Sequence, residues 1–145
     1  MYEMNRAQWQ EFVLAGTRTG KLAVTRANGA PHVTPIWFVL DTVDDQDFVI
    51  FTTESKSVKA KAFHRDPRFG LCVDDQAAPY SYVFIEGEAQ LSEDLDETLR
   101  WATRLGGRYM GADKAEAFGK RNAVPGEYLV RGRITRVTAY GDISA

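Results

Sequence analysis

The stretch FTTESKSVKAKAFHRDPR, residues 51–68, joins a hydroxyl-rich strand end to a short helix with lysines at 56, 59 and 61. Residues 47–52 before it are β-branched and aromatic, and Thr53 or Ser55 can cap a helix that Pro67 stops. A helix start leaves backbone N–H groups unpaired and carries partial positive charge, so an anion held there gains roughly 0.3–1 kcal/mol. At about 100° per residue, Lys56 and Lys59 fall roughly 60° apart, on a different side from Val58 and Ala62. Two ammonium groups and several hydroxyls facing one point suit a phosphate. A short amphipathic helix with merely solvated lysines is the alternative that spacing leaves open.

Other side-chain chemistry is not advertised. The two histidines, His32 and His64, lie far apart without cysteine partners, which gives a zinc site little support. No GxGxxG follows a strand, no GxxxxGK[ST] is present, and no nucleophile-elbow context occurs. An anion site without an evident acid or nucleophile points to a phosphate-bearing cofactor that carries the chemistry itself. The 145 residues suit a single domain, 1–145, with 44% hydrophobic and 26% charged residues as in an ordinary globular protein. A net charge of −2 removes the general footprint of a nucleic-acid binder and makes the basic cluster at 56–68 a local feature. The single Cys72, in the apolar run FGLCV, reads as a core residue and is consistent with a reducing, cytoplasmic setting. No apolar run reaches the 18 or so residues of a membrane span, and the N-terminus does not read as a signal peptide.

The elements that must position the anion site follow from periodicity. Residues 6–14 suit a short amphipathic helix ended by Gly16. A strand at 21–26 leads through Asn28-Gly29, a pair suited to a type I′ turn, into a strand at 32–40 in which Pro35 signals a bulge or interrupted ladder. An acidic turn at 41–46 precedes the strand at 48–52. After Pro67 come strands at 69–73 and 82–91, the second bent at Gly87, then a helix at 95–105 placing Leu95, Leu99, Ala102 and Leu105 on one face. Gly106-Gly107 should interrupt that helix, and the loop at 74–79 and the bend at 106–113 are expected to line the pocket. A helix from 113 to 120 and a closing strand at 128–140 complete the chain. The expected fold is mainly β, a six-stranded antiparallel split barrel with peripheral helices.

Five segments in register resemble the split-barrel flavin and deazaflavin oxidoreductases, the superfamily of pyridoxamine 5′-phosphate oxidase. They are GKLAVT at 20–25, NGAPHVTPIWF at 28–38, FTTxxKSxK at 51–59, RDPR at 65–68 and PYSYVxIEGEA at 79–89. The PxxxPxWF segment and RYMG at 108–111 look more like the branch that binds the deazaflavin coenzyme F420. The resemblance implies that Thr52, Thr53, Ser57 and Lys59 hold the cofactor phosphate with Lys56 as an auxiliary. It also implies that Thr34, Pro35, Ile36 and Trp37 line the ring, mainly through backbone groups. Tyr80, or Tyr82, would reach the site from the partner subunit of a homodimer. The implied activity is hydride transfer to a small conjugated or heteroaromatic substrate with F420. The alternatives are an FMN-dependent oxidoreductase related to pyridoxamine 5′-phosphate oxidase and a non-catalytic flavin or tetrapyrrole carrier.

Overall fold

Residues 1–145 are described by a computed structural model, in which eight antiparallel strands and four α-helices alternate. In chain order these are β1 (Tyr2–Glu3), α1 (Arg6–Leu14), β2 (Gly20–Thr25), β3 (Pro31–Ile36), β4 (Val39–Val43) and β5 (Gln46–Glu54). There follow α2 (Val58–Arg65), β6 (Arg68–Asp74), β7 (Tyr82–Ser92), α3 (Leu95–Met110), α4 (Ala115–Asn122) and β8 (Glu127–Gly141). The strands form one sheet in the order β3-β2-β6-β7-β8-β5-β4, with β1 beside β8. The ladder ends at β3 and β4, so the sheet is not closed, and eight strands replace the expected six. Two causes account for the count. Residues 2–3 pair with Gly141 and Tyr140, and the strand expected at 32–40 breaks at Trp37-Phe38.

That break has a physical reason. The Phe38 N–H donates to the Tyr109 hydroxyl at 3.1 Å and its carbonyl accepts Arg108 Nη1 at 2.6 Å, so side chains take the backbone groups that a ladder would use. The long strand β8 is shared between β7 and β5, and a bulge at Glu86/Gly87 bends it, with Thr135 Oγ1 donating to the Glu86 carbonyl at 3.1 Å. The bend at Gly87 agrees with the sequence expectation. The Phe69 ring fills it, lying so close to Gly132 that a Cβ there would meet Phe69 Cζ at 2.7 Å.

Several local expectations are corrected. The turn at Asn28-Gly29 is not type I′, because only Gly29 has a positive φ, 84°. Two consecutive positive φ values occur instead at Asp44 and Asp45 between β4 and β5, where the short acidic side chains tolerate them. Helix α3 runs unbroken through Gly106-Gly107, and its buried stripe is Thr98, Trp101, Ala102 and Leu105, leaving Leu95 and Leu99 exposed. Trp101 sets that rotation by packing into a small second core with Ile50 and Leu129. Strand alternation turns Phe69, Leu71 and Val73 inward, so Cys72 is half-buried on the opposite face of the sheet and not in the core. No helix is long and apolar enough to cross a membrane.

One polar network ties α1 to the β4–β5 hairpin. Asp47 accepts from Arg6 Nε at 2.9 Å, Thr42 Oγ1 at 2.6 Å and Gln10 Nε2 at 3.0 Å. Burial pushes the Asp47 carboxyl up, but the hydrogen bonds from Arg6 and Thr42, then the Arg6 charge and Gln10, together hold it below the usual carboxylate range. A depressed pKa adds stability above the unfolded value, and that stability is lost as pH falls through the folded value. Asp47→Ala should therefore cost about 1–3 kcal/mol at neutral pH. Its melting temperature should converge toward that of the wild type as the buffer is taken below about pH 4, which thermal melts across a pH series will check.

Candidate functional site

The two edge strands are consecutive in sequence and meet only through the Trp37-Phe38 corner. A cleft of 240 Å³ opens there, lined by Pro35, Ile36 and Trp37 from the corner, Thr52 and Thr53 from β5, and Lys59 from α2. Leu105 and Gly106 of α3 and Phe118 and Asn122 of α4 close the remaining side. The helices approach closely because both contacts use glycine. A Cβ on Gly106 would lie 2.6 Å from Phe118 Cβ, and one on Gly119 would overlap Thr103 Oγ1.

One end of the cleft is polar. Ser57 caps α2 by accepting the Ala60 N–H at 3.1 Å, and its hydroxyl lies 2.8 Å from Thr53 Oγ1. Two hydroxyls that share one hydrogen bond leave one hydroxyl hydrogen free, whichever of them donates. Lys59 Nζ donates to Thr34 Oγ1 at 3.3 Å, and burial, with no charged partner to offset it, pushes the ammonium below the usual lysine range. Hydroxyls beside a partly desolvated cation, with no carboxylate among the lining residues, are chemically suited to an anion. The other end is aromatic. Trp37 stacks on Tyr109 with ring centroids 5.0 Å apart and planes 6° from parallel, and Phe118 tilts against it at 5.8 Å.

Of the residues expected in the site, Pro35, Ile36, Trp37, Thr52, Thr53 and Lys59 line this one cleft, and Thr34 and Ser57 hold its polar end. One expectation fails, the helical pairing of Lys56 with Lys59. Lys56 precedes the cap at Ser57, outside the helix, so the helical spacing that paired it with Lys59 does not apply, and it lies exposed beyond the cleft. Val58, in the first turn, is exposed, and Ala60, Ala62 and Phe63 form the buried face of α2. The cap itself is Ser57, not Thr53 or Ser55, because residues 54–57 are spent on a turn. Tyr80, at φ 60°, and Tyr82 do not line the cleft of their own chain, and their expected place is the cleft of a partner subunit. Tyr82 pairs with Tyr140 at one end of β8, whereas Thr52 pairs with Leu129 at the other.

Residues 6–140 match the family described as pyridoxamine 5′-phosphate oxidase. The chain belongs to that family. Its members are split-barrel oxidoreductases that bind flavins or deazaflavins, and the cleft sits at the split of the sheet. No protein of curated function matches the sequence significantly. Among solved structures, a conserved hypothetical protein, Rv2991, from Mycobacterium tuberculosis is 26% identical with a TM-score of 0.81, over 97% of this chain and 87% of its own. An F420 reductase is also 26% identical, with a TM-score of 0.65, over 88% of this chain and 94% of its own. A FAD-binding protein from Mesorhizobium loti shares the fold alone, at 16% identity and a TM-score of 0.65, covering 95% and 93%.

Sequence reasoning does not place Leu105, Phe118 or Asn122 in the site. Gly106 does line the cleft, but from within an unbroken helix, where it admits the neighbouring helix α4.

Because the folded pKa of Lys59 is lowered, the charged form opposes folding, and stability rises with pH toward the ordinary lysine value. Lys59→Met should raise the melting temperature of the ligand-free protein at neutral pH. A thermal melt that falls instead would mean the ammonium is a net structural contact.

Proposed function

We propose that the cleft binds the deazaflavin coenzyme F420 and that the protein transfers hydride between its ring and a small conjugated or heteroaromatic substrate. The observation that carries this reading is the union, in one cleft, of a desolvated lysine among hydroxyls with an apolar and aromatic wall. The 26% identity to an F420 reductase favours the deazaflavin over FMN. When bound, the coenzyme supplies the hydride chemistry. The protein binds and orients. Lys59, with the free hydroxyl hydrogen of the Thr53–Ser57 pair and with Thr52, holds phosphate oxygens, and Thr34 keeps the ammonium aimed at them. Lys56 adds charge from the solvent side. Pro35, Ile36 and Trp37 support the ring, and Leu105 and Phe118 exclude water from it.

The 240 Å³ of the cleft, below the roughly 300–1,000 Å³ of most ligand sites, supports a pocket that one chain supplies only in part. A second copy completes it in a homodimer, bringing Tyr80 or Tyr82 to the site. Sedimentation at working concentration should give a dimer, and a monomer that still binds coenzyme tightly would remove the shared site.

Side-by-side fluorescence titrations with coenzyme F420 and FMN test the ring assignment. Tight F420 binding with weak FMN binding is expected, and the reverse order moves the protein to flavin chemistry. Lys59→Ala should weaken coenzyme affinity by about 1.5–3 kcal/mol, tenfold or more, as for a hydrogen bond to a charged group. An unchanged dissociation constant takes Lys59 out of the site.

A further inference from the structure

Arg108 and Tyr109 occupy the last turn of α3, behind the cleft wall, and neither lines the cleft. Together they hold the β3–β4 corner by its backbone. Tyr109 accepts the Phe38 N–H at 3.1 Å and donates to the Arg18 carbonyl at 2.8 Å. Arg108 donates to the carbonyls of Phe38 at 2.6 Å, Val13 at 2.8 Å, Gly16 at 3.1 Å and Arg18 at 3.3 Å. One planar guanidinium thus joins the corner to the end of α1 and the approach to β2, a task the three donors of a lysine on a flexible stem do not reproduce. The Tyr109 ring lies flat beneath Trp37, and the Arg108 guanidinium sits 4.8 Å from the centroid of the Phe38 ring, whose side chain is fully buried.

We infer that Arg108 and Tyr109 are positioning residues, which hold the corner at 36–38 so that Ile36 and Trp37 form a wall already in place when a planar ring arrives. The inference rests on the reading of the cleft as a ring site. Without these side chains, the Phe38 N–H and C=O must find water or re-pair in a continued strand. Either change moves Trp37 relative to Lys59. A ligand that spans the polar and aromatic ends then meets only one of them in good geometry, and the ordering cost returns to the binding step.

Two variants separate positioning from stability. Tyr109→Phe keeps the ring stack and removes the hydroxyl, while Arg108→Lys keeps the charge and removes the fork. Trp37 is 38% exposed whereas Trp9 and Trp101 are 6% and 2% exposed, so acrylamide quenching of tryptophan fluorescence in the ligand-free protein reports on Trp37. In each variant, well below its melting temperature, quenching should rise. Binding of F420 or FMN should weaken about fivefold, as for the loss of one hydrogen bond. Lys59→Ala is the contrast, with weakened binding and wild-type quenching. Unchanged quenching and unchanged dissociation constants in a variant with a lowered melting temperature would overturn the inference and leave the two residues as braces of the fold. If the wild type binds neither probe, the ring-site reading fails, and quenching alone still decides the role of the corner. If Arg108→Lys does not fold, Tyr109→Phe carries the test.

Discussion

A strand that leaves a sheet midway must give its backbone N–H and C=O groups new partners, and at Phe38 those partners are the Tyr109 hydroxyl and the Arg108 guanidinium. The rest of the site depends on that exchange. It stops β3 at Ile36 and lets β4 start anew at Val39, which leaves the sheet with two edges that are neighbours in sequence. The gap between them is the cleft. Had the strand continued, residues 36–38 would have spent their hydrogen bonds on a ladder, and Trp37 would have no corner from which to reach Tyr109 and Phe118.

The polar end shows the opposite economy, a partly buried cation kept with little compensation. Ser57 serves at once as the helix cap and as the partner of Thr53, so the start of α2 is stabilised by the same hydroxyl that shapes the polar end of the cleft. Lys59, two residues into the helix, is held in partial burial by Thr34 alone. A buried charge with so little compensation is an expense to the unliganded fold. Asp47 answers a similar burial differently, with three side-chain donors that keep it ionised, and it lies in the brace between α1 and the β4–β5 hairpin, away from the cleft.

Membership of the pyridoxamine 5′-phosphate oxidase family supplies the scaffold, and the chemistry resides in what lines the split. Structures of this fold include one named as an F420 reductase and one as a FAD-binding protein. In this chain the wall opposite the corner comes from α3 and α4, set at close range by Gly106 and Gly119. Phe118 and Asn122 are therefore placed by helix packing, which differs in kind from the strand and turn that place Thr53 and Lys59.

Much of this was legible from local pattern. The bounds of α1, the stop of α2 before Pro67, the bend at Gly87 and the courses of β6, β7 and β8 follow from periodicity and from glycine and proline punctuation. Thr52, Thr53, Ser57 and Lys59 are grouped by the family resemblance, on a stretch whose lysines and hydroxyls already suggest an anion site. What the sequence could not state were features decided by partners remote in the chain. Phe38 ends a strand because of a tyrosine 71 residues away. Trp101, reaching Ile50 and Leu129, chose which face of α3 is buried. Gly106 reads as a helix breaker in isolation and becomes a contact surface only when α4 lies against it. Short-range hydrogen bonds and side-chain periodicity are encoded residue by residue. Which backbone groups are released from the sheet, and which helix face meets it, depends on contacts that exist only after the chain has folded.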